Sequence, residues 1–432
     1  MKESKYNFYF PYENNILLYN AFTNALALCS KDEIDNLKNN SFNDKKLKED
    51  MKKGGFLCNE NQQYHLIKER LMQARYANKT ISLTIAPTID CNFRCEYCYE
   101  KDNLKESEMS LENQKILSDF VKKKAKGMEG IYVTWYGGEP LKAIGIIENL
   151  TKDFKSIAKE NDIPYEAYMV TNGYLLTKKI SGKLIDLNIK KIQITIDGDK
   201  EFHDSKRILK DRSGTFDIII KNLKENIDIL PEIALRINVD KKNSRSYAKL
   251  IDEIDKFNKD QKIQPYIAMV RNENGTYTDN LCLKTSEFLD EEEEFFNKNV
   301  ENPWGLYPSL FNTFCAADTK NAYVINYNLD FYNCWSDMGI EELSYGRLTK
   351  EGFKTKNLKR YYDYLHYDAT EDYDCKECKF LPICMGGCPY HRLTENEKEC
   401  SKYKLKLENY VKKLAEYLLE KEENYENISQ QF

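Results

Sequence analysis

Three cysteines, Cys91, Cys95 and Cys98, fall within eight positions at the spacing C-x3-C-x2-C. Three thiolates on so short a loop can hold three corners of an iron–sulfur cube and leave one iron without a protein ligand. An iron left open in this way can bind a small molecule and pass it an electron. A zinc knuckle is one alternative, although zinc favours four ligands at spacings such as paired C-x2-C units and no fourth ligand stands close by. An incidental cluster of thiols is the other.

A second field of cysteines occupies the last third of the chain. Cys315 and Cys334 bracket two strand-like stretches, 321–326 and 330–332, that read as a β-hairpin. Then come Cys375-x2-Cys378-x5-Cys384-x3-Cys388 and, after a gap, Cys400. Four cysteines in 14 residues, with Gly386-Gly387 before the last of them, form a ligand pattern, with zinc again the alternative to iron and sulfide.

The elements that must position the first three cysteines are legible around them. An apolar, β-branched run from Ile81 to Pro87 reads as a buried strand, so the thiols sit on the loop past its C-terminal end, where α/β folds place their chemistry. Five further strands are expected over 131–136, 165–171, 191–196, 233–239 and 263–270, with helices over 110–126, 141–161, 177–187, 216–230 and 244–257 between them. Six β/α repeats imply a parallel sheet with right-handed crossovers. The second strand ends in Gly137-Gly138-Glu139-Pro140, where two glycines let the backbone approach a ligand closely and Glu139 offers an acceptor. The plain reading of that stretch is a tight strand-to-helix turn. The third strand ends in Thr171-Asn172-Gly173 and the fourth in Thr195-Ile196-Asp197-Gly198. His203, one of four histidines, is expected to be structural, on a helix surface.

The cysteine loop, with Tyr97 before its last Cys, resembles the signature of the radical S-adenosylmethionine (SAM) enzymes, and the turn after the second strand is similar to their GGEP motif. That resemblance implies an α/β fold, a partial (β/α)6 TIM barrel. It also implies a four-iron cluster on Cys91, Cys95 and Cys98 whose open iron is chelated by SAM, and cleavage of SAM to a 5′-deoxyadenosyl radical. Tyr97, Gly137, Gly138, Glu139, Pro140, Asn172, Thr195, Asp197 and Arg212 are the cofactor-binding positions it suggests, with Thr195 and Arg212 toward the SAM ribose and carboxylate. The stretch Asp197-Gly198, His203-Asp204 and Arg207 is similar to the sulfatase-maturase and peptide-maturase branch.

The later cysteines resemble the SPASM domain of that branch, which implies two auxiliary four-iron clusters, three clusters in all. Cys375, Cys378, Cys384 and Cys400 would hold the distal one and Cys315, Cys334 and Cys388 the proximal one. Two departures stand out. Leu329 occupies the place of a usual Gly, so the hairpin turn is expected to rely on Asn328. Trp335 follows Cys334 where sulfatase maturases carry an Asp base, which disfavours sulfatase maturation. Of the 13 cysteines, three and seven are thereby used, leaving Cys29, Cys58 and Cys282. The first two are expected to be buried small hydrophobes, and Cys282 either completes the proximal set or leaves it open. An open proximal iron can take a substrate thiolate, so the expected reaction is thioether formation from a substrate Cys. Carbon–carbon cross-linking, epimerisation and sulfatase-maturase-like oxidation are the alternatives, and a non-catalytic iron–sulfur carrier is the rival class.

Four segments follow. Residues 1–80 form a small α+β module, 81–300 the barrel, 301–405 the SPASM domain and 406–432 a packing helix. In the first, 6–10 and 16–20 are strands, 21–29 is a third strand or a short helix, Ser30 caps a helix, and another helix runs over 44–53 to Gly54. The pattern resembles leader-binding modules of peptide-modifying enzymes; a structural cap is the other reading. The run Asp290–Glu294 is expected as an exposed first helical turn, or as a docking patch for a basic peptide.

Composition bounds the rest. With 432 residues, 41% hydrophobic and 31% charged, and a net charge of −5, the chain has the balance of a globular protein and no nucleic-acid footprint. No apolar run behind Met1–Lys5 is long enough for a signal peptide or membrane span, and a cytoplasmic location is expected. There thiols stay reduced, which favours metal ligation over disulfides. The expected partners are a precursor peptide with a leader and a small flavodoxin- or ferredoxin-type electron donor.

Overall fold

The structure, a computed structural model, describes residues 1–244, 246–299, 302–310, 315–394 and 398–429. Two compact units make up the chain: Met1–Ala77, Glu292–Phe314 and His366–Phe432 form one, and Asn78–Glu291 and Cys315–Leu365 the other. The segment 301–405 is therefore shared, its hairpin in the second unit and its four-cysteine run in the first.

In the first unit, strands β1 (Asn7–Tyr12), β2 (Asn15–Asn20) and β3 (Ala25–Cys29) form an antiparallel sheet in that order. Residues 21–29 thus contribute a strand. Helix α1 (Lys31–Asn39) starts at a reciprocal cap: the Ser30 hydroxyl accepts from Glu33 N at 3.3 Å and the Glu33 carboxylate accepts from Ser30 N at 2.8 Å. Helix α2 (Lys45–Lys53) is capped by Asp44 and ends at Gly54. A third helix, α3 (Glu60–Tyr76), follows. Cys29 packs with Leu18, Ile34, Leu37 and Met51, and Cys58 is buried too, so both behave as small hydrophobes.

The second unit is built on one sheet. Its six parallel strands are β4 (Thr80–Ile85), β5 (Gly130–Trp135), β6 (Tyr165–Thr171), β7 (Ile189–Thr195), β8 (Glu232–Val239) and β9 (Ile263–Met269). They pair in chain order, in the α/β arrangement of a partial TIM barrel. Helices α4 (Leu111–Lys124), α5 (Ile144–Glu160), α6 (Lys178–Asp186), α7 (Phe216–Asn226) and α8 (Tyr247–Asp255) fill the crossovers. Ile131, Val133, Trp135, Ile192, Ile194, Leu235 and Ile237 are fully buried, and each such side chain contributes roughly 1.5–3 kcal/mol of transfer free energy.

The hairpin read between Cys315 and Cys334 extends this sheet. After helix α9 (Thr285–Asn299), strand β10 (Ala322–Ile325) pairs in parallel with β4, and β11 (Asp330–Tyr332), β12 (Gly346–Thr349) and β13 (Gly352–Thr355) continue antiparallel. Two expectations are corrected. The left-handed residue of the hairpin turn is Leu329 itself, φ +60°, not Asn328. Its strain is offset because the side chain is buried and the Asn326 carboxamide accepts from Asn328 N at 2.9 Å and Asp330 N at 3.0 Å. The acidic run lies within α9 rather than in its first turn, and it is spent internally. Glu292 is buried against Lys402 Nζ at 2.9 Å and Tyr410 Oη at 2.9 Å, and Glu293 pairs with Lys406 at 3.0 Å.

Helix α10 (Leu358–Leu365) closes the second unit. The one-turn helix α11 (Leu381–Cys384) and helices α12 (Pro389–Thr394) and α13 (Tyr403–Ser429) belong to the first. Leu381, Met385, Leu407, Val411 and Leu414 share a core there with Tyr6, Leu17, Tyr19, Ile67 and Leu71.

Candidate active site

The loop that carries Cys91, Cys95 and Cys98 leaves the carboxyl end of β4 and is pinned first by backbone hydrogen bonds. Arg94 N donates to Ile208 O at 2.7 Å, Glu96 N to Lys206 O at 3.1 Å and Lys210 N to Asn92 O at 3.2 Å, around an antiparallel bridge from Phe93 to Leu209. Lys206 is itself buried against Asp240 and Tyr277. The strip 206–210 thus acts as a second strand for the loop, which fixes where the thiols point.

The glycine turn after β5 presses on the same loop. Gly137 sits at φ +109°, and a Cβ on Gly138 would lie 2.3 Å from Asp90 O, the carbonyl just before Cys91. Glu139 N donates to Asp90 O at 2.9 Å. The Glu139 carboxylate is fully buried and accepts from Thr171 Oγ1 at 2.7 Å, Asn172 N at 2.8 Å and Leu141 N at 3.0 Å. It ties the ends of β5 and β6 together, with its acceptors already engaged. Pro140 is buried behind it, at the start of the following helical turn.

Cys91, Cys95, Cys98, Tyr97, Gly137, Gly138, Asn172 and Thr195 all line one cavity of about 400 Å3. Gln193, Arg236, Asn238, Met269, Arg271 and Glu273, on or just past the later strands, and Arg207, after the short helix Lys200–Lys206, complete its wall, and Trp335 and Ser336, the two residues after Cys334, line it as well. Tyr136 packs against Trp335 with centroids 4.5 Å apart and the rings tilted by 41°, and the Trp335 indole N–H donates to Thr84 Oγ1 at 3.0 Å. Ser336 Oγ donates to Glu273 Oε2 at 2.8 Å.

Behind the thiols lies a buried polar knot. Tyr97 Oη donates to Asp197 and accepts from Arg207 Nη1 at 2.9 Å and Asn238 Nδ2 at 3.0 Å. His203 is buried in the same layer rather than on a helix surface. Its Nδ1 accepts from Asp197 N at 3.2 Å and its Nε2 pairs with Thr215 Oγ1 at 2.9 Å. Burial holds its pKa down at about 3, so the ring is neutral. Arg212 is exposed, at φ +69°, and lies outside the cavity lining; the arginines that line the cavity are Arg207, at the C-terminal end of the short helix Lys200–Lys206, Arg236, on β8, and Arg271, just past β9. Arg207 falls in the maturase-like stretch read from sequence, without a site role there; the signal for Arg236 is its place on β8.

The thiols fit a metal group. Burial pushes Cys91 up to about 12 and raises Cys95 and Cys98. Buried thiols of this kind carry thiolate charge only when a cation binds them, and three of them converge on one cavity beside close-packed glycine backbone. In the second unit Cys334, pushed up to about 12 by burial, has Cys315 among the charges acting on it. Cys282 lies beside Asp240 and Tyr277, its Sγ 3.8 Å from Thr278 O. In the first unit, Cys378 N donates to Cys375 O at 3.0 Å, the Tyr367 hydroxyl is 3.5 Å from Cys375 Sγ, and Lys404 Nζ donates to Cys400 Sγ at 3.1 Å within the field of Cys378 and Cys384. Cys388, in that same unit, has its Sγ and the ligand atoms of His391 and Glu399 all within 4.8 Å of one another.

Comparison with known proteins agrees with this geometry. Residues 85–254 match the model of the radical SAM superfamily. The chain is 24% identical over 377 residues to the cysteine-type anaerobic sulfatase-maturating enzyme of Clostridium novyi, covering 78% of this chain and 97% of that one. It is 24% identical over 342 residues to the serine-type enzyme of Bacteroides thetaiotaomicron, covering 70% and 81%. Among solved structures, anSMEcpe with bound AdoMet and Cp18Cys peptide aligns with a TM-score of 0.56 at 18% identity, over 80% of this chain and 99% of that one. Streptococcus suis SuiB bound to precursor peptide SuiA aligns with a TM-score of 0.51 at 15% identity, over 92% and 97%. At these identities the structural likeness concerns the fold.

Proposed function

We propose that this member of the radical SAM enzymes, whose domain spans residues 85–254, modifies a ribosomally made precursor peptide, and that the bond it makes is a thioether from a substrate Cys. One observation carries the reading. The cavity that receives Cys91, Cys95 and Cys98 is also lined by Trp335 and Ser336, so the backbone that holds Cys334 also walls the space a substrate must enter. Cys91, Cys95 and Cys98 would hold the cluster, which when loaded would supply the electron for reductive cleavage of SAM. The chain's own residues do the positioning. Gly137 and Gly138 admit the cofactor close to the backbone, and the Tyr136–Trp335 pair gives the substrate a rigid apolar wall. That wall stands where an Asp base would stand in a sulfatase maturase, which argues against oxidation of the sulfatase type.

A peptide substrate is supported by the peptide-bound neighbours anSMEcpe and SuiB, and by the first unit. There β1 carries Pro11, and Lys379 Nζ donates to Asn7 O at 3.3 Å, whereas the other edge strand, β3, has no proline and exposes Leu28. The leader adds as a strand along β3, in the module read over residues 1–80. By their sequence pattern, Cys315, Cys334 and Cys388 are read as the proximal thiols and Cys375, Cys378, Cys384 and Cys400 as the distal ones. The enzyme works in the cytoplasm, where its thiols stay reduced, with a flavodoxin- or ferredoxin-type donor. No helix among the described residues is long and apolar enough to cross a membrane.

A second reading, carbon–carbon cross-linking or epimerisation, is favoured by the proximity of His391 and Glu399 to Cys388, which offers non-thiolate ligands that would close the proximal set. Mass spectrometry of the modified precursor separates the two. Loss of two hydrogens with a Cys no longer alkylatable is expected. Cysteines that all react with iodoacetamide exclude the thioether, and an unchanged mass indicates epimerisation. Deleting residues 1–77 is expected to weaken leader binding at least tenfold; equal affinity by fluorescence titration makes the module a cap.

A further inference from the structure

One cation on the cavity wall is buried with a donor to spare. Arg207 is 8% exposed and lines the cavity. Its Nη1 is engaged by Tyr97, but its Nε lacks a hydrogen-bond partner among the described residues. A buried charged N–H without an acceptor is costly enough that an acceptor is expected to occupy the space beside it. The neighbouring protein acceptors are already engaged: the Tyr97 hydroxyl is shared by Asp197, Arg207 and Asn238, and Glu139 takes three donors of its own. Arg207 and Cys95 line the same cavity, and their neighbours are joined by the hydrogen bond from Glu96 N to Lys206 O, so the guanidinium and the thiol are carried on paired backbone.

We propose that Arg207 is a positioning residue that sets the reduction potential of the group held by Cys91, Cys95 and Cys98, by fixing a positive charge and a free N–H beside Cys95. The inference rests on the radical SAM reading of that loop. Three thiolates make the group anionic, and adding an electron makes it more so. A cation in a dry site favours the reduced form, because little solvent intervenes to screen it. Arginine keeps its proton throughout the working pH range, so the charge is constant. It also moves with its target: Arg207 sits on the strip 206–210 that pairs with the cysteine loop, and its own backbone is held by Arg207 N to His203 O at 2.8 Å and Thr215 Oγ1 to Arg207 O at 2.6 Å. Asp197 is the offsetting carboxylate, sharing the Tyr97 hydroxyl with Arg207.

The test needs no peptide. The full chain is reconstituted anaerobically, and the reduced iron–sulfur signal that shifts on adding SAM is titrated against potential by electron paramagnetic resonance. R207Q is expected to lower the midpoint so that the reduced-to-oxidised ratio at fixed potential falls about tenfold, about 59 mV for one electron, with iron content unchanged. R207K, which keeps the charge, is expected to stay within threefold of wild type. A wild-type midpoint in R207Q overturns the proposal; if SAM affinity alone falls, the arginine belongs to the SAM carboxylate. Where R207Q does not hold its iron, D197N reads the same field from the other side. Loss of the offsetting carboxylate is expected to raise the midpoint, and an unchanged value overturns the proposal. Loss of the SAM-responsive signal in the C91A/C95A/C98A variant verifies which cluster is being read. Survival of that signal would defeat the radical SAM assignment of the loop rather than the role of Arg207.

Discussion

Cys91, Cys95 and Cys98 stand on a loop that the surrounding protein already holds. Three backbone hydrogen bonds to the strip 206–210, a glycine turn with no room for a Cβ and a buried tyrosine–arginine–aspartate knot fix it before any metal arrives. Cys375, Cys378, Cys384 and Cys400 are held differently. Cys400 is exposed, its Sγ takes a hydrogen bond from an exposed lysine, the run from Cys375 to Cys384 depends on single-turn contacts, and the left-handed residues Met385, Gly386 and Gly387 follow it. The first field is preorganised for an exchangeable ligand, which needs an open corner kept open. The second, if it holds the proposed cluster, has four thiols that need only close around it, so metal binding would supply much of its order.

The largest expected effect strikes the preorganised field. Replacing Cys91, Cys95 and Cys98 together with Ala abolishes 5′-deoxyadenosine formation, while iron analysis of the reconstituted protein falls from about twelve to about eight atoms per chain. Continued 5′-deoxyadenosine production would remove this loop from the chemistry, and a wild-type count near four irons would remove the auxiliary clusters.

Next in size is Gly138→Ala. Its methyl group would sit 2.3 Å from Asp90 O, a backbone atom that cannot swing aside. The loop must shift, and SAM affinity is expected to fall at least tenfold with the iron content retained. Wild-type SAM affinity would show that the loop yields more easily than its hydrogen bonds suggest.

How much of this could be read in advance depends on the range of the contacts. The strands of the parallel sheet, the hairpin and the helix caps follow from short-range pattern, and their positions match within a few residues. The cysteine and glycine motifs mark the mouth of the cavity for the same reason. What sequence spacing does not carry is which distant residues meet. Arg207 and Arg212 are five positions apart, yet one is buried against Tyr97 and the other is exposed, because the chain turns at φ +69° between bridge and helix. The glutamates of α9 look like a solvated face until Lys402, Lys406 and Tyr410, more than a hundred residues later, arrive to neutralise them. Helix α3 lacked a strong apolar stripe and a side-chain cap, so nothing local announced it.

A smaller effect comes from the layer beneath the first field. His203 is buried neutral, with its pKa lowered to about 3. Between pH 3 and its unfolded value of about 6.5 the unfolded chain therefore binds the extra proton, so stability falls as the pH is lowered through that window. From pH 7 to pH 5 this amounts to about 2 kcal/mol. Urea unfolding of the metal-free protein should show this loss, and His203→Gln should flatten it. A wild-type curve without slope in that window would mean that the ring is protonated in the folded state.

The smallest effect separates the fields by their cations. Lys404 donates to Cys400 Sγ at 3.1 Å, as close to its thiol as a charged group can stand, yet both residues are exposed. Water and salt reach the pair, and a screened charge moves a redox equilibrium little. Lys404→Met is therefore expected to shift the midpoint of the distal cluster downward by less than threefold in the reduced-to-oxidised ratio, and the shift should shrink further in high salt. Arg207→Gln acts from a dry site and should be several times larger and nearly independent of salt. If Lys404→Met matched Arg207→Gln, burial would not be what distinguishes the two fields, and the direct hydrogen bond from Lys404 to sulfur would weigh as much as a buried charge.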